Sequence, residues 1–134
     1  MLGDKLGDLT GKVTVRRVLP SGAGGPILEV SVEQTGVILG VQTQGYVTYE
    51  AAFRPDGKVD GSGRGVLMGA GGEMATWTAT GLGVFKEDGV VRFTGSINYL
   101  TTSPTWGQLN DSAGVFEWEE NPDGSSQVTF WAWK

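Results

Sequence analysis

Three charged residues are the first candidates for chemistry, because each lies on an otherwise apolar face or in a largely uncharged run. Arg17 shares one face of a predicted strand with apolar residues, where a guanidinium would bind a carboxylate, an enolate or a phosphate. Glu50 is the catalytic candidate, because a bulge would turn it inward beside Tyr49 as a general acid or base. Glu73 stands in a similar run. Alternatively, Arg17 lies in water, or Arg16 faces inward in its place. The alternative for Glu50 and Glu73 is that both face solvent.

The composition excludes many other sites. The chain has no histidine and no cysteine, which removes imidazole bases, thiolate nucleophiles, disulfides and Cys/His zinc sites. The glycine-rich runs 61–65 and 81–83 do not open a helix, as a phosphate-binding loop does, and the acidic residues of the turns form no cluster of metal ligands. Glu117, Glu119 and Glu120 are interpreted as solvated strand positions. No cofactor and no metal are therefore expected.

Charge and hydropathy limit the partners. Ten Lys and Arg against 15 Asp and Glu give a net charge of −5, the opposite of a surface that binds a nucleic-acid backbone. No apolar run approaches the ~20 residues of a membrane-spanning helix. Residues 1–8 have neither the basic nor the apolar region of a signal peptide. We therefore expect a cytoplasmic protein that binds neither nucleic acid nor membrane.

Alternating apolar and polar residues between turn signals predict eight strands. They are placed at 11–19, 27–35, 37–53, 58–68, 73–86, 90–101, 113–120 and 126–133. The run 37–53 is long enough to bend, at Gly40 or Gly45. Helical periodicity is absent, and the polar segment 102–112 is predicted to be a loop or lid.

Eight consecutive strands joined by short turns favour an up-and-down antiparallel barrel, because closure removes the edges of the sheet. We predict an all-β fold in which residues 1–134 form a single barrel domain. The alternative is a β-sandwich of two four-stranded sheets. A barrel of eight strands either fills its interior with side chains or holds one small ligand.

The more apolar face of each strand should point inward, since alternate side chains face opposite sides of a sheet. This places Tyr49, Trp77, Tyr99 and Trp118 around a lumen, with Arg17 as an anchor for a ligand. Seven glycines fall on the same side, namely Gly45, Gly61, Gly63, Gly65, Gly81, Gly83 and Gly95. They either leave room for a ligand or let the strands coil and give large rings a place to pack.

The C-terminal strand carries rings on both faces. Trp131 and Trp133 share its outward side, and with Trp106 they could form an exposed apolar patch at a subunit or partner contact. A homo-oligomer is one expectation from this pattern. The alternative is that the 102–112 loop folds over these rings within one chain.

The Gly-rich alternation, with segments such as GEMATW at 72–77 and GVFEW at 114–118, resembles the small eight-stranded barrels of the allene-oxide-cyclase and calycin type. The resemblance is architectural and covers most of the chain. It implies a lumen that binds a hydrophobic small molecule and in some members guides a cyclisation by shape. The sequence has no catalytic motif of that family to transfer.

Three functions are consistent with these features. The first is a binding module that takes a small, largely hydrophobic molecule, anionic if Arg17 anchors it, into the lumen. The second is a cyclase or isomerase, in which Glu50 or a tyrosine hydroxyl assists proton transfer in the same cavity. The third is a structural, oligomeric protein with a filled barrel.

Overall fold

A computed structural model describes all 134 residues and shows a closed barrel of eight antiparallel strands. Each strand pairs with its neighbours in the sequence, and β1 pairs with β8 to close the sheet. The strands are β1 (Leu2–Gly22), β2 (Gly25–Ile38), β3 (Val41–Phe53), β4 (Val59–Gly69), β5 (Met74–Phe85), β6 (Val91–Thr101), β7 (Gly114–Glu120) and β8 (Ser125–Trp133). The predicted up-and-down barrel is confirmed, and the sandwich alternative is wrong.

Two strand boundaries differ from the prediction. β1 begins at Leu2 instead of residue 11, because residues 7–12 pair with both β2 and β8. The predicted strand 37–53 is divided by a two-residue turn, Leu39–Gly40, that joins β2 to β3. Their φ angles of 48° and 77° match the type I′ hairpin turn, which glycine adopts without strain. Because the turn contains no Asn, Asp or Pro, the sequence signal for it is weak.

A β-bulge after Val13 reverses the two faces of β1. Val13 pairs with the buried Val32, yet three residues later Arg16 pairs with the buried Val30. An extra residue between two such pairs shifts every following side chain to the other face. Arg16 therefore lies on the inner side of the sheet, and the expectation that Arg17 faces inward is wrong.

One end of the barrel is closed by a 3-10 helix, Pro104–Asn110, between β6 and β7. Trp106 and Leu109 are buried, and the Trp106 indole N–H donates to the Ile38 carbonyl at 3.2 Å. Asn110 and Thr101 exchange two hydrogen bonds of 2.9 and 2.8 Å that fix the end of the helix. The predicted polar loop is thus a plug, and we call this the closed end of the barrel.

The turns β1–β2, β3–β4, β5–β6 and β7–β8 lie at the opposite end, which we call the open end. Eighteen buried hydrophobic residues between the two ends form one continuous core. Neither of the two short 3-10 helices is long and apolar enough to cross a membrane.

Candidate functional site

A cavity of about 40 Å³ lies in the barrel interior. Its walls are mostly apolar and include six aromatic rings, those of Tyr49, Trp77, Phe93, Phe116, Trp118 and Phe130. A water molecule takes up about 30 Å³ in the liquid, and sites for drug-sized ligands have roughly 300 to 1,000 Å³. The interior is therefore mostly filled, with space left for a molecule of very few heavy atoms.

The inward glycines provide the surfaces on which these rings pack. A β-carbon added at Gly65 would lie 2.3 Å from the Trp77 ring, and one at Gly83 would lie 2.6 Å from the Phe93 ring. Carbon atoms do not approach so closely without repulsion, so only bare backbone leaves room for the rings. These distances support the interpretation that the glycines serve packing.

The polar end of this site is a hydrogen-bonded pair, Tyr49 and Glu120. The Tyr49 hydroxyl donates to Oε1 of Glu120 at 2.9 Å. Glu120 is the last residue of β7, and only 8% of it is exposed. The Tyr49 ring packs edge-on against Trp118, with ring centroids 5.9 Å apart. Tyr49 and Trp118 line the cavity and Glu120 does not, so the carboxyl lies one hydrogen bond beyond the cavity wall, on the side of the open end.

Burial raises the pKa of the Glu120 carboxyl above its ordinary value of 4.5. Three neighbours act in the opposite direction: the Tyr49 hydroxyl, the positive charge of Arg16 and the indole N–H of Trp118. Burial also raises the pKa of Tyr49, and the nearby Glu120 charge adds to this effect. The tyrosine therefore stays protonated and keeps donating to the carboxyl.

Several buried polar atoms around this pair have no hydrogen-bond partner. The indole N–H groups of Trp77 and Trp118 are unpaired, although the latter lies near Glu120 without reaching hydrogen-bonding geometry. Ser126, opposite Glu120 across the β7–β8 ladder, has an unpaired hydroxyl, and Gln34 lacks partners for both side-chain amide atoms. Most buried polar groups in proteins are paired, so this part of the interior is suited to a further polar group.

A single glycine keeps two of these polar groups close together. Gly11 of β1 pairs with Gln34 on one side and with Ser126 on the other. A β-carbon at Gly11 would lie 2.9 Å from both the Gln34 Cγ and the Ser126 Oγ. Glu120, Ser126 and Gln34 therefore follow one another around the inner wall, and we call these three residues the polar row.

The charged candidates from the sequence lie outside the cavity. Glu50 receives two hydrogen bonds of 3.2 Å from the Arg64 guanidinium on the outer face. The bulge that would have turned it inward is absent, since β3 pairs continuously with β2 and β4. Arg17 lies on the outer face, opposite Glu29 in the β1–β2 ladder. Glu73 accepts a hydrogen bond of 2.9 Å from a backbone N–H of its own turn.

Three of the four aromatic candidates, Tyr49, Trp77 and Trp118, line the cavity. Tyr99 faces inward but does not line it. Its ring packs edge-on against Phe130, with centroids 6.4 Å apart, and burial raises the pKa of its hydroxyl.

The predicted patch of three tryptophans is wrong. Trp106 is fully buried in the plug, whereas Trp133 is 55% exposed and pairs with Leu2 of β1. The 102–112 segment therefore covers the end of the barrel instead of the rings of the last strand.

All three residues of the polar row could have been found in the sequence, and Ser126 precedes the inward Val128 by two positions. Glu120 follows Trp118 by two positions, so the alternation that places Trp118 inward places Glu120 inward too, and its assignment to solvent is wrong. Gln34 follows Val32 in the same way. Arg16 could be named only as the alternative to Arg17, and the structure confirms that alternative, because the bulge sets its orientation.

The Glu120–Tyr49 pair can hold a ligand by hydrogen bonds or move a proton at the edge of the cavity. Any proton-transfer role would therefore fall to Glu120 and not to Glu50. No group of three or more His, Cys, Asp or Glu side chains is placed to hold a metal ion.

The fold and its interior define a small closed β-barrel, and solved structures share this architecture. A protein of unknown function from Clostridium acetobutylicum matches with a TM-score of 0.84 and 14% identity over 96% of both chains. A conserved protein of unknown function from Rhodopseudomonas palustris has a TM-score of 0.84 and 11% identity, over 98% of this chain and 97% of that one. A β-barrel-like protein from Acinetobacter baumannii has a TM-score of 0.84 and 12% identity, over 100% and 96%. No protein-family model and no curated protein matches the chain.

Proposed function

We propose that this protein binds a small, largely apolar molecule inside the barrel, with the polar group of that molecule near the Glu120–Tyr49 pair. The observation that carries the proposal is an apolar cavity walled by rings, with buried and unpaired indole N–H groups on two of the residues that line it, Trp77 and Trp118. Leaving such groups unpaired costs roughly 1 to 3 kcal/mol each. The resemblance to allene-oxide-cyclase and calycin barrels implies a ligand in the same place.

The outer surface offers a larger but less specific alternative. An open groove of about 940 Å³ crosses the outer side of β2 to β6, lined by residues such as Thr48, Arg64 and Asn98. Trp77 lines this groove as well as the cavity, but the other residues with buried unpaired polar atoms, Trp118, Gln34 and Ser126, do not line the groove. The interior is therefore the better site for a specific small ligand.

The size of the cavity limits the ligand. A volume of about 40 Å³ is little more than the share of one water molecule, so even a two-carbon molecule such as ethanol requires small shifts of the surrounding rings. A larger ligand has to displace one of the rings that pack on the glycines. Ethanol is therefore the neutral probe with which we would test the site.

The test uses the five tryptophan indole N–H signals in a proton–nitrogen NMR titration with ethanol. We expect the signals of Trp77 and Trp118, which line the cavity, to shift and to saturate. The Trp106 signal should move little, because this indole in the plug already donates to the Ile38 carbonyl. The signals of Trp131 and Trp133 should move little as well.

Two matched variants locate the binding. Val47 lines the cavity, and Val47→Ile adds one methylene that fills much of it, so the saturable shifts should disappear. Val66 faces outward at the β3–β4 ladder, and Val66→Ile should leave them unchanged. Equal shifts of all five indoles, or shifts that persist in Val47→Ile, would show that ethanol does not bind in the lumen.

A further inference from the structure

We infer that the lumen prefers a small organic cation, a protonated amine on a short apolar group, to neutral or anionic ligands of the same size. This inference rests on the binding site proposed above and assigns the charge of its ligand. Its starting point is that Glu120 is the one charged residue among the buried residues of the chain.

The Glu120 carboxylate is incompletely paired. It receives one side-chain hydrogen bond, from Tyr49, and no Lys or Arg nitrogen lies within ion-pair distance of it. An ionised carboxyl can accept about four hydrogen bonds, and a buried charge is costly unless it is paired. Arg16 acts on Glu120 only from an exposed position and forms no ion pair with it, so a cation that enters beside Tyr49 would supply a closer charge and further donors.

The walls of the cavity favour the same charge. The Tyr49 ring lies 5.8 Å from Phe93 and 5.9 Å from Trp118, both edge-on, so several rings surround one small space. Aromatic faces attract cations, most strongly when the cation is desolvated. An ammonium group in this space would therefore be stabilised by the rings as well as by Glu120.

The positive side chains near the site do not favour an anion. Arg17 faces outward, and Arg16, on the inner side of β1, is exposed at the open end, where water weakens the effect of its charge. The indole N–H groups of Trp77 and Trp118 could donate to an anion, but they carry no net charge to offset repulsion from Glu120. The carboxylate is thus the dominant charge inside the barrel.

The test compares ethylammonium, ethanol and acetate, which share a two-carbon frame and differ in charge. Each is titrated at about pH 8, where Glu120 is more fully ionised than at lower pH, and at constant ionic strength. The readout is the saturable shift of the Trp77 and Trp118 indole signals. We expect ethylammonium to bind about tenfold more tightly than ethanol, which corresponds to about 1.4 kcal/mol, and acetate to bind most weakly.

Two substitutions on β7 assign the preference to one carboxyl. Glu120→Gln keeps an acceptor for Tyr49 but removes the charge, so ethylammonium should lose its advantage and bind within about twofold of ethanol. Glu117 lies on the outer face beside Arg92, and Glu117→Gln should leave the tenfold preference unchanged.

The outcomes separate the two proposals. If ethanol binds in the lumen but ethylammonium binds no better, or if Glu120→Gln keeps the preference, the cation assignment is wrong and the binding site stands. If none of the three probes shifts the Trp77 and Trp118 signals, the proposed function itself fails, and the cation assignment with it.

Discussion

The two ends of the barrel use buried polar groups in opposite ways. At the closed end the Trp106 indole, Thr101 and Asn110 all find partners, at distances between 2.8 and 3.2 Å. Towards the open end Glu120 has one donor, and Ser126 has an unpaired hydroxyl. Both ends belong to the same closed sheet, so the difference lies in the side chains and not in the backbone.

This contrast indicates what each end contributes. A fully paired and buried plug stabilises the fold, since every polar group that leaves water recovers a hydrogen bond. An incompletely paired carboxyl beside a cavity costs stability unless a ligand completes it. We therefore assign stability to the plug at the closed end and binding to the interior of the barrel, with Glu120 on its open-end side.

Removing the plug should have the largest effect. Trp106 has 0% of its surface exposed, and truncating a fully buried Trp costs about 3 to 5 kcal/mol. Trp106→Ala should lower the free energy of unfolding by this amount in urea denaturation. Because a domain of this kind is stable by only about 5 to 15 kcal/mol, Trp106→Phe should be measured as well, with a smaller loss.

The matched control is at the exposed tryptophan of the last strand. Trp133 is 55% exposed, and surface substitutions usually change stability by less than about 0.5 kcal/mol. A loss in Trp133→Ala as large as that in Trp106→Ala would contradict the assignment of stability to the plug.

A smaller, pH-dependent effect is expected at Glu120. Burial raises its pKa above 4.5 in the folded state, so the wild-type protein loses stability as the pH rises from the unfolded value through the folded one. Each unit by which the pKa is raised corresponds to about 1.4 kcal/mol. Glu120→Gln cannot ionise, so its stability relative to the wild type should increase as the pH rises from about 4 to 8.

The smallest effect is expected at Glu50, which serves as the control for that measurement. Its ion pair with Arg64 is on the outer face, where such pairs contribute about 0 to 1 kcal/mol. Glu50→Gln should change stability little and leave ethanol binding intact. A pH dependence in Glu50→Gln that matched the one in Glu120→Gln would contradict the role given to the buried carboxyl.

The sequence alone predicts the barrel because the alternation is strong in β2 to β8, where one face is buried. It fails in the first half of β1, since residues 2–9 are rich in glycine and charge and lack β-branched side chains. The order of the strands follows from their number and short connections. The closure of the eight strands into a barrel needs no special sequence motif.

The sequence predicts the candidate site less well than the fold, for two physical reasons. The bulge in β1 places Arg16 on the inner side and Arg17 on the outer side. A one-residue shift of this kind cannot be recognised from the composition of the strand. Glu120 lies at a strand end, where an acidic residue is usually solvated, and only the Tyr49 hydroxyl from the other side of the lumen marks it as buried. Parity places both the rings and the polar residues inward, whereas the register is needed to show that the members of the polar row are neighbours.

The most direct test of binding inside the barrel is a crystal structure of the protein grown or soaked with ethylammonium. We predict density for the cation in the cavity, with its nitrogen directed towards Glu120 and its carbons against Trp77 and Trp118. A lumen that holds only water molecules bonded to the two indoles, or an ethylammonium ion found only on the outer face, would contradict the account.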